Sequence, residues 1–253
     1  MTSKELTSWF DHVLETENFA EADSSKNGLQ VDNDGAEITR VAFAVDACLE
    51  TVTRANAAGA GMLVVHHGLF WKEPERVTGP HYRRLRALMT ANMALYASHL
   101  PLDAHDELGN NAGLANRIGL IKRNPFGVWR GCVIGVSGSF EQPISLDALC
   151  SRLFPDDAQP PHLLPFGPQK IRTAAVVSGG ASSEMYQAID AGFDCFITGE
   201  IGHEEYHHAL ENKITVIAGG HYRTETLGVQ QLAVRLGRET DIETVFIDVP
   251  TNL

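Results

Sequence analysis

Three short stretches hold residues whose types and spacing suit metal chemistry. Val64-Val65-His66-His67-Gly68 has neighbouring imidazoles. Ser98-His99-Leu100-Pro101-Leu102-Asp103-Ala104-His105 has a carboxylate between two histidines. Gly219-Gly220-His221-Tyr222-Arg223-Thr224-Glu225 has a histidine four residues before a carboxylate. Each follows an apolar run. His66, His67, Asp103, His221 and Glu225 make more ligands than one transition-metal ion with an open site needs, and they suit a pair of ions. A set of imidazoles and carboxylates favours Zn, Fe, Mn, Ni or Co over Ca or Mg, and affinity order alone does not choose among them. Two divalent ions outweigh the charge of Asp103, Glu225 and a bridging hydroxide, so the pocket is expected to attract anions.

These residues need strand ends to hold them. Strand-like runs at Val41–Val45, Met62–Val65 and Ala94–Ala97 alternate with helix-like runs from about Leu49 to Ala58 and about Tyr82 to Ala91. That alternation predicts an α/β fold with largely buried strands, in which ligands collect at the carboxyl ends of strands. Neighbouring strand residues point to opposite faces, but His66 and His67 fall where the chain leaves the sheet and can converge.

The chain also repeats itself. A shift of 133 residues lays Ile38 on Ile171, Phe43 on Val176, Ala58-Gly59 on Ala191-Gly192 and Leu63-Val64 on Phe196-Ile197, with His66-His67 on Gly199-Glu200. Leu6, Trp9, Phe10, Val13 and Leu14 share their helical spacing with Leu146, Leu149, Cys150, Leu153 and Phe154. Two α/β halves, residues 1–125 and 126–253, follow from a duplication. The bland alternative is that any two β-α-β units share Ala-Gly before a buried strand. Arg123–Gly131, with its Gly, Pro and Arg, is expected to cross between the halves.

The bulk properties exclude several classes. At 253 residues the chain can bury a core without staples, and Cys48, Cys132, Cys150 and Cys195 lack CxxC spacing, so buried thiols in a reducing, cytoplasmic compartment are expected. Thr2 and Glu5 form a capping-box pattern before an amphipathic helix, not a signal peptide. No apolar run approaches the roughly 20 residues that span a bilayer, so no membrane partner is expected. A formal net charge of -12 disfavours nucleic acid as a partner.

Other residues carry paired readings. His99 and Glu200 are the candidate catalytic groups for proton transfer; the plain alternatives are a turn histidine, which also describes His105, and a helix N-terminal carboxylate. Asp46 points toward the cleft or caps the next helix. Asn110 and Asn111 bind substrate or, the favoured reading, make a turn. Phe70 and Trp71 stack on a ring-shaped substrate or, the reading preferred here, anchor a subunit interface, as Trp129 would. His203-Glu204-Glu205-Tyr206-His207 matches the HExxH zinc pattern letter for letter, but a helix whose His203 and His207 face forms a polar cleft wall is favoured. Ser178-Gly179-Gly180-Ala181-Ser182 is glycine-rich without the lysine of a nucleotide-binding loop.

The same motifs carry a resemblance over essentially the whole length. Asn27-Gly28-Leu29-Gln30-Val31, Val45-Asp46, His66-His67-Gly68-Leu69-Phe70-Trp71, His99-Leu100-Pro101-Leu102-Asp103, Gly109-Asn110-Asn111, Thr198-Gly199-Glu200 and Gly220-His221-Tyr222-Arg223-Thr224-Glu225 resemble the GTP cyclohydrolase I type 2 homologue family, also called NIF-three-like proteins. The resemblance implies two intertwined α/β repeats with mixed, mostly parallel sheets and a metal site in the cleft between them. It implies two divalent ions per subunit on His66, His67, Asp103, His221 and Glu225, with Asp103 and Glu225 bridging or shared, and a toroidal homohexamer. The expected activity is metal-dependent hydrolysis of a small, anionic, nucleotide-like substrate, by ring opening of GTP with formate release or by phosphoester cleavage. A metal-binding scaffold without turnover is the rival expectation.

Overall fold

The computed structural model describes residues 1–73, 75–155 and 159–253. The chain forms two compact units, one of residues 1–102 with 228–249 and one of residues 103–227 with 250–253. The expected α/β class is what the chain adopts, with one mixed sheet in each unit.

The first unit contains β1 (Gly28–Val31), β2 (Arg40–Asp46), β3 (Met62–His67) and β4 (Ala94–Ala97). The second contains β5 (Ile121–Trp129), β6 (Cys132–Ile144), β7 (His162–Pro165), β8 (Ile171–Val176), β9 (Cys195–Thr198) and β10 (Thr215–Ala218); β11 (Glu243–Phe246) returns to the first. The first sheet runs β1-β4-β3-β2-β11, with β4, β3, β2 and β11 parallel and β1 antiparallel at the edge. The second runs β5-β6-β8-β9-β10-β7; β8, β9 and β10 are parallel, and the outer pairings are antiparallel.

The repeat is visible in the pairings. β2 pairs β3 with Val41 opposite Met62, and β8 pairs β9 with Ala174 opposite Cys195, the same 21-residue step, 62 − 41 and 195 − 174. Between those strands, helices Leu49–Ala57 and Glu184–Asp190 end alike: Ala58 and Ala191 stay right-handed, then Gly59 and Gly192 turn left-handed at φ 74° and 72°. A glycine makes that stop without the steric cost of a Cβ. Antiparallel edge strands, β1 on β4 and β7 on β10, complete the correspondence.

Sequence pattern explains the packing. The predicted capping box forms, with the Thr2 side chain accepting from the Glu5 amide and the Glu5 carboxylate accepting from the Thr2 amide at 2.8 Å. Helix Ser3–Leu14 buries Leu6, Phe10 and Leu14, each contributing roughly 1.5–3 kcal/mol through lost apolar exposure. The Phe10 ring lies 4.9 Å from Tyr96 and 6.2 Å from Phe43, on one face of the sheet. Ala42, Ala44, Leu63, Val65, Leu95 and Ala97 alternate to the other face, where they meet Val52, Ala55, Leu85 and Leu88 of helices Leu49–Ala57 and Gly79–Thr90.

One expected connector is a strand. Arg123–Gly131 does not cross between halves: its residues through Trp129 belong to β5, and Arg130-Gly131 turn the chain into β6. Pro125 and Gly127, at φ 73°, are tolerated because β5 is an edge strand. Cys195 is buried as expected, whereas Cys48, Cys132 and Cys150 are half-buried. Among the described residues no helix is long and apolar enough to cross a membrane.

Candidate functional site

In the first unit, parallel β3 and β4 end side by side and place three imidazoles together. His66, His67 and His99 each offer one ligand nitrogen, and the three lie within 4.8 Å of one another. The rings of His66 and His67, on adjacent residues, have centroids 4.6 Å apart. His99, expected from sequence as a proton-transfer group, is thus also a third donor beside the pair.

Each ring is oriented through Nδ1. His66 Nδ1 lies 3.0 Å from the Ser98 carbonyl, His67 Nδ1 2.9 Å from Asp46 Oδ1, and His99 Nδ1 2.8 Å from Asp23 Oδ1. An acceptor at Nδ1 places the proton there and leaves the Nε2 lone pair for a metal, the usual arrangement around metal-bound histidine. The carboxylate of Asp46 therefore serves His67, and the following helix is capped by Cys48, whose sulfur accepts from the Thr51 amide. Asp23 also accepts from the Leu100 amide at 3.0 Å and from Asn27 at 2.8 Å. Burial alone would raise its pKa, but the hydrogen bond and charge of His99, with Asn27 and the Ser25 amide, bring it down to about 2.

Trp71 closes one side of this cluster. Its indole N–H donates to the Gly68 carbonyl at 3.2 Å, and its ring stands edge-on to His99 with centroids 5.2 Å apart. Phe70 packs against the first core and meets the buried His81 ring at 5.4 Å.

In the second unit, Asp103, His221 and Glu225 come together. Asp103 and Glu225, both buried, offer oxygens within 4.8 Å of each other, and His221 Nε2 lies 3.3 Å from Glu225 Oε2. His221 opens the short helix His221–Thr224 and Glu225 ends it, so the four-residue spacing spans one turn. Glu200 Oε1 sits 2.6 Å from His221 Nδ1, repeating the pattern of the first unit with a residue expected to handle protons. Hydrogen bonding to Glu225 first, and the nearby Glu200, hold the His221 pKa up at about 9 against the opposing effect of burial.

Glycine and amide groups complete this second cluster. Gly179, at φ 66°, approaches so closely that a Cβ there would lie 2.1 Å from Glu225 Oε1 and 3.3 Å from His221 Nε2. Its carbonyl accepts from the amides of Gly199 and Glu200, which fixes the loop carrying Glu200. Asp103 Oδ1 accepts from Asn110 at 2.9 Å and Ser178 Oγ at 3.0 Å. Asn110 and Asn111 are therefore not a solvent turn: both are buried in helix Asn110–Ile118, and Asn111 bonds to the carbonyls of Asp103 and Ile134 and to the Ser178 amide. Because Asn111 and Thr224 occupy the Ser178 and Gly179 amides, that glycine-rich loop does not present those donors to a phosphate.

Two other sequence readings meet a plain outcome. His203 precedes the helix Glu205–Asn212 and, like His207, is exposed, so the HExxH letters do not form the single helical face that zinc binding requires. His105 Nδ1 accepts from the Glu107 and Leu108 amides, as a turn histidine does. Sequence reasoning passed over Asp23, and it read Ser178 and Gly179 only as a glycine-rich loop without a nucleotide-binding lysine. The glycine-rich run at residue 179 was the one available signal, and Asp23 had none.

The donors fit a divalent transition metal, since neutral imidazoles and carboxylates are its preferred protein ligands. His66, His67 and His99 form a group that could hold an ion, and Asp103, His221 and Glu225 each belong to a group that could do so. Comparisons with known proteins agree with the fold. A GTP cyclohydrolase 1 type 2 homolog of Treponema pallidum (strain Nichols) is 46% identical, with 100% of both chains covered. The crystal structure of TTHA1606 from Thermus thermophilus matches all of both chains at 36% identity and a TM-score of 0.91. Protein ybgI, of unknown function, matches all of both chains at 32% identity and a TM-score of 0.92. Together with a match to the family description over residues 1–253, these findings place the chain in the Duf34/NIF3 (NGG1p interacting factor 3) family.

Proposed function

We propose that the protein is a dinuclear metal-dependent hydrolase of small anionic, nucleotide-like substrates. The observation that carries this reading is the common support of four histidines: His66, His67, His99 and His221 each have Nδ1 against a carbonyl or carboxylate acceptor. Such support raises ligand basicity and fixes the tautomer, and core packing alone does not require it four times over. In this reading His66, His67, Asp103, His221 and Glu225 hold two divalent ions. Bound divalent metals supply Lewis acidity and a nucleophilic water at neutral pH, so no protein nucleophile is needed.

The remaining groups orient and move protons. Asp46 and the Ser98 carbonyl hold the His67 and His66 rings. Asn110 and Ser178 hold Asp103 by donating to one of its oxygens. Glu200 and His99 are the proton-handling groups: Glu200 is half-exposed at His221, and His99 is held by Asp23. The relatives' name, GTP cyclohydrolase 1 type 2 homolog, points to GTP; in this reading its guanine ring is opened with formate released, and phosphoester cleavage would use the same metal chemistry. A homohexamer in a reducing cytoplasm belongs to the same reading.

The family description also contains the words "interacting factor", which favours a second reading: a metal-binding scaffold that acts through partners. Metal content and turnover separate the two. Untagged protein is expected to carry about two ions per chain by mass spectrometry and to turn over GTP or a phosphoester, with turnover abolished in folded His66→Ala. Asp46→Ala is expected to lose about 10–100-fold in metal affinity while staying folded. Two ions without turnover on either substrate class would select the scaffold, and absence of metal after reconstitution would remove the hydrolase reading.

A further inference from the structure

Outside the clusters just described, helices Leu49–Ala57 and Gly79–Thr90 of the first unit border a groove of about 600 Å³. Val52 and Ala87 give it an apolar floor, Arg83 and Arg86 stand along one side, and Asn56 and Thr90 add an amide and a hydroxyl. Residues 83, 86, 87 and 90 share one face of their helix by their three- and four-residue spacing.

The charge at this groove is unusual for the chain. The protein has 32 acidic against 20 basic residues, yet helix Gly79–Thr90 contains no carboxylate, and none lines the groove among the described residues. Several other arginines are engaged: Arg40 with Glu243, Arg54 with Glu50, Arg235 with Glu239, and Arg123 and Arg152 with backbone carbonyls. The side chains of Arg83 and Arg86 make no ion pair or hydrogen bond among the described residues. Two forked donors without counter-ions, one helical turn apart, beside an apolar floor, match a ligand with a planar body and a phosphate. The volume lies in the range that holds a small organic molecule.

We propose that this groove binds an organic phosphate of mononucleotide size, at a site separate from the metal-ligand clusters. The phosphate takes the guanidinium groups of Arg83 and Arg86, the body covers Val52 and Ala87, and Asn56 and Thr90 satisfy its polar edge.

Calorimetry with adenosine 5′-monophosphate as the probe tests this in two backgrounds that disable the clusters, the full-length His66→Ala chain and wild-type chain treated with EDTA. One equivalent is expected to bind in both, with affinity reduced at least tenfold by Arg83→Gln and by Arg86→Gln and unchanged by Arg84→Gln on the same helix. Adenosine and inorganic phosphate are each expected to bind more weakly than the nucleotide. Absence of nucleotide binding, or equal binding by the folded Arg83→Gln/Arg86→Gln chain, overturns the proposal. So does binding that Arg83→Gln/Arg86→Gln abolishes but that an acidic peptide or a second copy of the chain competes for more tightly than the nucleotide. Failure of the hydrolase reading leaves these outcomes unchanged, because both backgrounds lack working metal clusters.

Discussion

His99 Nδ1 lies 2.8 Å from Asp23 Oδ1, a contact between residues 76 apart in sequence. Asp23 is almost fully buried, with a side chain 1% exposed, and its depressed pKa of about 2 makes the contact a stability device as well as a ring clamp. The folded value lies below the unfolded carboxylate value of roughly 3.9, so the contribution is full above about pH 4 and is lost as pH falls toward 2. Its size is about 2 kcal/mol.

Asp23→Asn is therefore expected to lower stability at pH 7 by about 2–3 kcal/mol, since the amide presents a donor where Asn27 and the Leu100 amide already donate. Between pH 4 and 2 the variant's unfolding free energy should change less than that of the wild type. Urea melts across that range check both points; parallel curves would remove the assigned role of Asp23.

Parts of this arrangement were legible in the sequence because the physics is local. A buried apolar run ending in His66-His67 identifies a strand end, and the ladder of β3 on β4 explains why His99 arrives beside the pair. The repeated Ala-Gly after each helix marked the correspondence of the halves, and the structure shows its local cause, the left-handed stop that Gly59 and Gly192 make. Long-range partners had no such mark: neither Asp23 with His99 nor β11 with β2 follows from spacing. β5 was missed because Pro125 and Gly127 read as breakers, and edge position, which excuses them, is a property of the sheet.

Gly179 makes a sharper test of the second cluster. At φ 66° any side chain carries a backbone cost of about 1–2 kcal/mol, and a Cβ would stand 2.1 Å from Glu225 Oε1, so the carboxylate must move. Gly179→Ala is expected to fold with stability lowered by roughly 2–4 kcal/mol and to lose metal affinity at least tenfold. Glu200→Gln, which keeps the loop shape, should lower affinity without a comparable loss of stability. Metal affinity unchanged in a folded Gly179→Ala chain would show that Glu225 does not bind metal.

His221 sets the pH dependence of the metal-free chain. Glu225 and then Glu200 hold its pKa at about 9, above the unfolded value of roughly 6.5. A raised folded pKa contributes stability that is complete below about pH 6 and declines as pH rises to 9, on the order of 2 kcal/mol after discounting the ring's partial exposure. Protein stripped with EDTA should therefore lose stability from pH 6.5 to 9, and Glu225→Gln should flatten that slope, since it removes the larger partner. A metal ion competes with the proton for Nε2, so loading at pH 7 should release protons and make the melting curve nearly independent of pH above 7. Calorimetric melts of stripped and reloaded protein at pH 6.5, 7.5 and 9 separate these outcomes. A stripped chain that melts at the same temperature at all three would mean that Glu225 does not hold a proton on His221.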